Sequence, residues 1–379
     1  MDFINLLGLV WPNNNFWATL ISQIDYLFNL NSYVWTILIF TIVLKLVLSP
    51  LDFLQRFYTN KSMRAQAKIA PELEKLKRQY GNNTALLQKK QTELYSKNNV
   101  SMKGSCIVML VYMVVTLAVF LTLFNSLRDI SKFKIGNQFE TLQTTYNSSY
   151  NPNFEGYVTS LGGTVEEYNN LESDEEKLEY LTTKYVLTYS VTAEEAETSV
   201  NNDISTFENS AQDEVVLKYN EIKDSWLWVK NIWRSDKLTQ TSILSYNDFV
   251  NETGYNVSGK EYNTIMAKLL NNQEINSANG YYILSVIVVL VSLLSQFLSR
   301  KLAGKNSNQA GGASKILMFI LPFAMLLFTL NSSALFSVYI ITNSLISTVL
   351  IPITSKISNK IEDKKEKERK NKNKASYSR

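Results

Sequence analysis

Residues 33–54 read YVWTILIFTIVLKLVLSPLDFL. As a helix, so apolar a run is long enough to cross a bilayer, for which about 20 apolar residues suffice. Lys45 nevertheless lies well inside it. On insertion scales a charge at the centre of a membrane helix costs about 2.5–3.5 kcal/mol. A charge kept at that cost raises the question of what the protein gains from it.

Four further apolar blocks follow: 105–124 (SCIVMLVYMVVTLAVFLTLF), 281–298 (YYILSVIVVLVSLLSQFL), 316–330 (ILMFILPFAMLLFTL) and 334–353 (ALFSVYIITNSLISTVLIPI). Each is near or just under the length of a membrane span. The mean hydropathy of −0.09 is therefore an average over membrane helices and polar segments. The 379-residue chain reads as an all-α polytopic membrane protein with five transmembrane helices.

The chain contains no His, and Cys106 is its one cysteine. Ser-His-Asp and Cys-His catalysis, His-ligated metals and an intrachain disulfide are thereby removed. No GxxxxGK[ST] phosphate loop occurs either, so no ATP-driven motor is expected. The expectation is a protein without metal or cofactor that is not an enzyme.

Charge sets the topology, because Lys and Arg next to the spans mark the cytoplasmic side. Residues 1–44 carry neither, whereas 51–103 carry eleven against four acids. Arg300, Lys301, Lys305 and Lys315 stand with no acid between spans three and four. Residues 355–379 hold ten positive and four negative side chains, while 126–280 reverses the balance with twelve against twenty-four. The amino terminus is thus expected outside and the carboxyl terminus in the cytoplasm of a bacterial plasma membrane.

The expected organisation runs as follows. An extracytoplasmic surface-helix region covers 1–32, span one 33–54, and a basic cytoplasmic helical hairpin 55–103. Span two covers 104–125, and an extracytoplasmic insertion 126–280. Span three covers 281–299, a basic cytoplasmic loop 300–315, span four 316–331, span five 334–354 and a basic tail 355–379. The start lacks the positive n-region of a signal peptide. Ser22, Gln23 and Asp25 interrupt 16–30, which suits a helix lying on the outer membrane surface. A sixth span over 3–30 is the alternative.

The hairpin is read from Pro71 with Glu72 and Glu74 at a helix start, a Gly81-Asn82-Asn83 turn, and Thr84 as the next cap. Its basic faces either only set topology or dock anionic lipid headgroups, ribosomal RNA or an incoming polypeptide. The tail has the same readings, and its low hydrophobicity and high charge predict disorder.

Lys45 lies nearer the cytoplasmic end of span one, so snorkelling to the headgroups is its plain reading. Thr41, Lys45 and Ser49 nevertheless share one helical face, being spaced i, i+4, i+8. Tyr112 and Thr116 in span two, Ser292, Ser295 and Gln296 in span three, and Tyr339, Asn343 and Ser347 in span five offer further polar groups. With Asp52 counted among the cytoplasmic acids, no acid remains in the spans to neutralise Lys45. An unpaired cation predicts a hydrated cavity open to the cytoplasm. Span four, about 22 Å over 316–330 against a core of roughly 30 Å, predicts local thinning. Pro322 is a candidate kink.

These features together resemble the YidC/Oxa membrane protein insertases, most strongly over 33–125 and 281–356. The resemblance rests on the order of elements and on TIVLK, with Thr41 four residues before the cation. It also rests on KGSCIVMLVYMVV (103–115), on NSSALFSVYIITN (331–343) and on the Trp-rich SWLWVKNIWRSD (225–236) before span three. Lys replaces the commoner Arg, the usual prolines are missing at Val108 and Val114, and Tyr112 stands where Gln is common. The final hairpin also lacks its usual proline and glycine.

The resemblance implies an insertase and chaperone for nascent membrane proteins. A hydrophobic segment slides between spans three and five while its hydrophilic tail rests near Lys45. Thr41, Ser49, Tyr112 and Thr116 then line the groove, and Gln296, Tyr339 and Asn343 are substrate contacts or plain packing. The ribosome, the secretion channel and anionic lipids are further expected partners. Residues 137–223 and 238–278 look like insertions of a fold the sequence does not assign, mixing a β-favouring run (185–191) with acidic helical stretches (193–216), as an α+β domain would. Two other classes stay open. One is a solute or ion permease, and the other is an intramembrane hydrolase using Ser49 and Lys45.

Overall fold

The computed structural model describes residues 15–28, 30, 32–97, 102–303 and 312–377. The described residues divide into two compact units, one drawn from 14–128 and 282–379 and the other from 129–281.

The first unit is built on helices α1 (Phe16–Phe28), α2 (Tyr33–Tyr80), α3 (Thr84–Lys97), the beginning of α4 (Met102–Ser160), α10 (Ile283–Ala303), α11 (Gly312–Leu330) and α12 (Ala334–Tyr377). Its outer face is apolar, unlike that of a soluble helix. Between Trp35 and Asp52 of α2, Trp35, Ile42, Val43, Leu46 and Val47 are exposed, whereas Thr36, Thr41, Lys45 and Asp52 are buried together with Ile37, Phe40 and Leu44. A soluble amphipathic helix turns its polar side chains outward. Apolar side chains outside and polar ones turned inward are what lipid surroundings demand. Over Ile107–Leu121, α4 likewise exposes Ile107, Met109, Leu110, Val111, Met113, Val114, Leu117 and Leu121.

Among the described residues, three helical stretches are long and apolar enough to cross a membrane: Tyr33–Ser62, Ile107–Ser160 and Ala334–Lys365. Ile283–Ser299 is a shorter apolar helix. The apolar stretch 316–330 forms the last 15 residues of α11, which begins four residues earlier at Gly312.

α12 packs along α2 and α10, and α1 lies against α2. Phe120 and Phe124 of α4 meet Phe328 of α11 and Phe336 of α12 edge to face, with centroids 5.1–5.6 Å apart. The Trp17 indole N–H donates to Thr122 Oγ1 at 2.8 Å, and Thr36 Oγ1 donates to Asp25 Oδ1 at 2.7 Å. Asp25, read as a polar interruption, is thus a hydrogen-bond acceptor for α2. Residues 1–14, on which the sixth-span alternative partly falls, lie outside the described residues.

Two expectations about the hairpin and the tail are corrected. Pro71 does not open a separate hairpin helix, because α2 continues through Pro50 and Pro71 to Tyr80. The turn at Gly81 leads to α3, which lies against α2, and its cap is Asn83, whose Oδ1 accepts from the Leu86 N–H at 3.1 Å. The tail is not disordered: it extends α12 to Tyr377. Arg64 pairs with Asp363 at 2.8 Å, Lys365 stands 5.2 Å from the Phe57 ring centre, and Ser358 is buried. Composition predicts disorder only for a segment with nothing to dock on, and here α2 supplies a partner. Of the predicted 300–315 loop, Arg300–Ala303 complete α10, and 304–311 lie outside the described residues.

The second unit comprises the remainder of α4 with α5 (Val165–Asn169), α6 (Asp174–Tyr189), α7 (Ala193–Ile222), α8 (Tyr246–Thr253) and α9 (Gly259–Asn271). No strand occurs among the described residues, and the β element expected near 185–191 is the end of α6. Capping overrides the β propensity there. Ser173 with Glu176 and Thr192 with Glu195 form two capping boxes that bracket the segment, and Ser190 takes the left-handed conformation between the helices. Phe154, Val158, Leu161, Leu181 and Val200 form one core cluster. Phe139, Phe249 and Tyr262 stack in another.

Irregular chain between these helices is knotted by Asn279, whose amide donates to the carbonyls of Asn231 and Ser235, both at 2.9 Å. Asp236 Oδ1 accepts from the Tyr281 N–H at 2.7 Å. A Cβ on Gly280 would stand 1.8 Å from that same oxygen, so only glycine fits.

Candidate functional site

The polar face of α2 extends further than Thr41, Lys45 and Ser49. Asp52 and Arg56 continue it at i+7 and i+11 from Lys45, a spacing that keeps all of them on one side of the helix. Lys45 Nζ lies 2.6 Å from Asp52 Oδ2, with side chains 9% and 8% exposed. The Tyr112 hydroxyl, from α4, donates to the same carboxylate, and the Arg56 guanidinium lies within its field. The expectation of an unpaired Lys45 is therefore overturned. Asp52 is buried with the lysine and is not a cytoplasmic acid. An i, i+7 pair lies outside the usual i, i+3 and i, i+4 registers. The signal that could have found it was the continuation of the polar face past Pro50.

The hydroxyls expected along the groove are mostly satisfied within their own helices. Thr41 Oγ1 donates to the Ile37 carbonyl at 2.6 Å and Thr116 Oγ1 to the Tyr112 carbonyl at 2.7 Å. Ser49 Oγ donates to the Leu46 carbonyl at 2.8 Å. Proline at 50 has no N–H for that carbonyl, so the serine fills the gap. Such back-bonding lets a hydroxyl sit in an apolar helix without water, and a stripe of Thr and Ser is accordingly no evidence of a wet face.

The structure brings Lys45, Asp52, Arg56 and Tyr112 together. Tyr339 and Asn343 make their contacts within α12. Tyr339 is buried with its ring 5.9 Å from Phe336, and the Asn343 carbonyl accepts from Ser347 Oγ at 2.7 Å. Gln296 is half-buried on α10. The polar contact between α10 and α12 is made instead by Ser295, which donates to the Ser344 carbonyl at 3.2 Å and shares a hydrogen bond with Thr348. Among the described residues no group of three or more His, Cys, Asp or Glu could hold a metal.

Apolar outer faces, a buried charged cluster and the absence of strands among the described residues define an all-α, multi-pass membrane protein. Residues 24–189 match the family model described as 60Kd inner membrane protein, and the resemblance to the YidC/Oxa insertases stands on that match. The chain is 33% identical over 122 residues to the membrane protein insertase YidC of Leptospira interrogans (serovar Lai), covering 32% of this chain and 18% of that one. It is 39% identical over 85 residues to that of Fusobacterium nucleatum, covering 22% and 40%. With that of Clostridium tetani the identity is 31% over 121 residues, covering 31% and 49%. The chain thus spans less than half the length of these relatives. No solved structure matches it significantly.

Proposed function

We propose that this protein is a membrane protein insertase and chaperone that admits nascent membrane proteins beside the Lys45 face of α2. One observation carries the reading: a charged cluster buried behind lipid-facing apolar side chains, within the segment that matches the family. A buried cation attracts carboxylates far more strongly than one in water, which suits a passenger with an acidic tail. Release follows when the passenger's apolar segment partitions into lipid, at about 25 cal/mol per Å² removed from water. The five-span organisation, the cytoplasmic side of α3 and the tail, and an extracytoplasmic position for residues 126–280 belong to the same reading. So do ribosome, secretion-channel and anionic-lipid partners and a role without enzymatic chemistry.

The groove in this proposal is a site of ion exchange around a pair, not a water-filled trough around a lone ammonium. The Ser–Lys hydrolase draws no support from the geometry, since the Ser49 hydroxyl is committed to Leu46 and Lys45 to Asp52. A photo-crosslinker at Tyr112 with ribosome-stalled single-span chains tests the reading. Adducts that depend on Lys45 and persist in Lys45→Arg are expected. Normal accumulation of the protein with no adduct at Tyr112 or Tyr339 would overturn it.

A further inference from the structure

Asp52 stands between two cations on one helix face. Lys45 precedes it by seven residues and Arg56 follows by four, about two turns and one turn away. The carboxylate is held by the Lys45 ammonium at 2.6 Å and by the Tyr112 hydroxyl, and the Arg56 charge acts on it as well. In this state Lys45 has no free charge to offer. The cluster as a whole keeps one positive charge in excess, and Arg56 carries it.

We propose that Asp52 is an exchangeable internal counter-ion: it occupies Lys45 until a passenger carboxylate takes its place, and then turns to Arg56. The inference rests on the insertase reading and deepens it by naming the internal group that an acidic tail must displace from Lys45. Removing one partner of a buried ion pair strands an uncompensated charge, which is costly. Exchange of one carboxylate for another avoids that cost, because both cations end paired. A neutral tail cannot make the exchange and leaves Asp52 where it is. No covalent bond forms or breaks and no proton moves. Arg56 is the second berth, one turn from Asp52 on the same face, and Tyr112 holds the carboxylate between the two.

The test uses the full-length protein in proteoliposomes and two single-span passengers that differ only in Asp or Asn residues in the translocated tail. The readout is the ratio of protease-protected acidic to neutral tails. Asp52→Asn raises that ratio, on the order of fivefold, and Asp52→Glu restores the original discrimination. Arg56→Gln removes the second berth and lowers the ratio, but only while Asp52 is present. A wild-type protein that inserts both tails, with a ratio unmoved by Asp52→Asn, sinks the counter-ion role and leaves the insertase reading standing. Should Asp52→Asn fail to accumulate, an unchanged ratio in Arg56→Gln overturns the proposal equally. Insertion of neither tail by the wild type would overturn the insertase reading, and the inference with it.

Discussion

The Ser49 hydroxyl donates to the carbonyl of Leu46 at 2.8 Å, the acceptor that Pro50 leaves without an amide partner. A proline inside a helix removes one i→i−4 bond, and in lipid no water replaces it. Ser49→Ala should therefore destabilise the protein by about 1 kcal/mol. In a Pro50→Ala background, where the residue-50 N–H serves Leu46, the same change should cost almost nothing. A double-mutant cycle of thermal unfolding in detergent measures both, and equal costs in the two backgrounds would refute the assignment.

Lys45 and Asp52 should behave as a unit. Lys45→Met alone takes the nearest cation from the buried Asp52 carboxylate, but Arg56 and Tyr112 remain beside it, so the cost should fall below the roughly 3–5 kcal/mol of leaving a buried charge unpaired. Lys45→Met with Asp52→Leu removes both charges and should recover most of that loss, while passenger crosslinking at Tyr112 stays abolished. Unfolding curves for the three proteins, read beside crosslinking yield, separate stability from function.

Phe336 is 1% exposed and touches Phe120 and Phe124 of α4. Phe336→Ala should cost about 3–5 kcal/mol, the usual range for a buried aromatic. Phe336→Leu should lose less, because most of the volume remains. A drop in the unfolding midpoint for the alanine variant that is no larger than for leucine would count against this cluster as a main tie between α4 and α12.

Glu208 of α7 tests the second unit through pH. Burial raises its pKa above the ordinary glutamate range, opposed by the Lys260 charge, and the Tyr146 and Tyr150 hydroxyls face it from α4. A carboxyl whose folded-state pKa is raised contributes stability that is fully present below its unfolded pKa. That stability is lost as pH rises through the folded value. Glu208→Gln should therefore raise the unfolding temperature at pH 8 and change it little at pH 4. The opposite ordering, with the larger gain in acid, would contradict the burial argument.

Much of the membrane unit was legible in the linear chain because lipid imposes a rule that needs no partner. Apolar runs such as 107–121 must be helical and must face outward. The site was half legible. Lys45 announced itself by its cost, and Thr41 and Ser49 by sharing its face. Asp52 was hidden because it lies after Pro50, where the span was expected to be ending, and because its partner is two turns away. The insertion was misread near Tyr185 because β-branched and aromatic residues suit strands as well as helices. The caps at Ser173 and Thr192 decided between them.

By itself, then, the amino-acid order determined that this is a helical membrane protein, which segments are apolar enough for lipid, and which cation needed an explanation. Those properties follow from transfer free energies that each residue carries wherever it sits. Only the folded arrangement decided that Lys45 is answered by Asp52 and Tyr112, that the hydroxyl stripe is satisfied by its own backbone, and that the charged tail docks as a helix on α2. Pairing depends on distance and direction between side chains, and those exist only once the helices are packed.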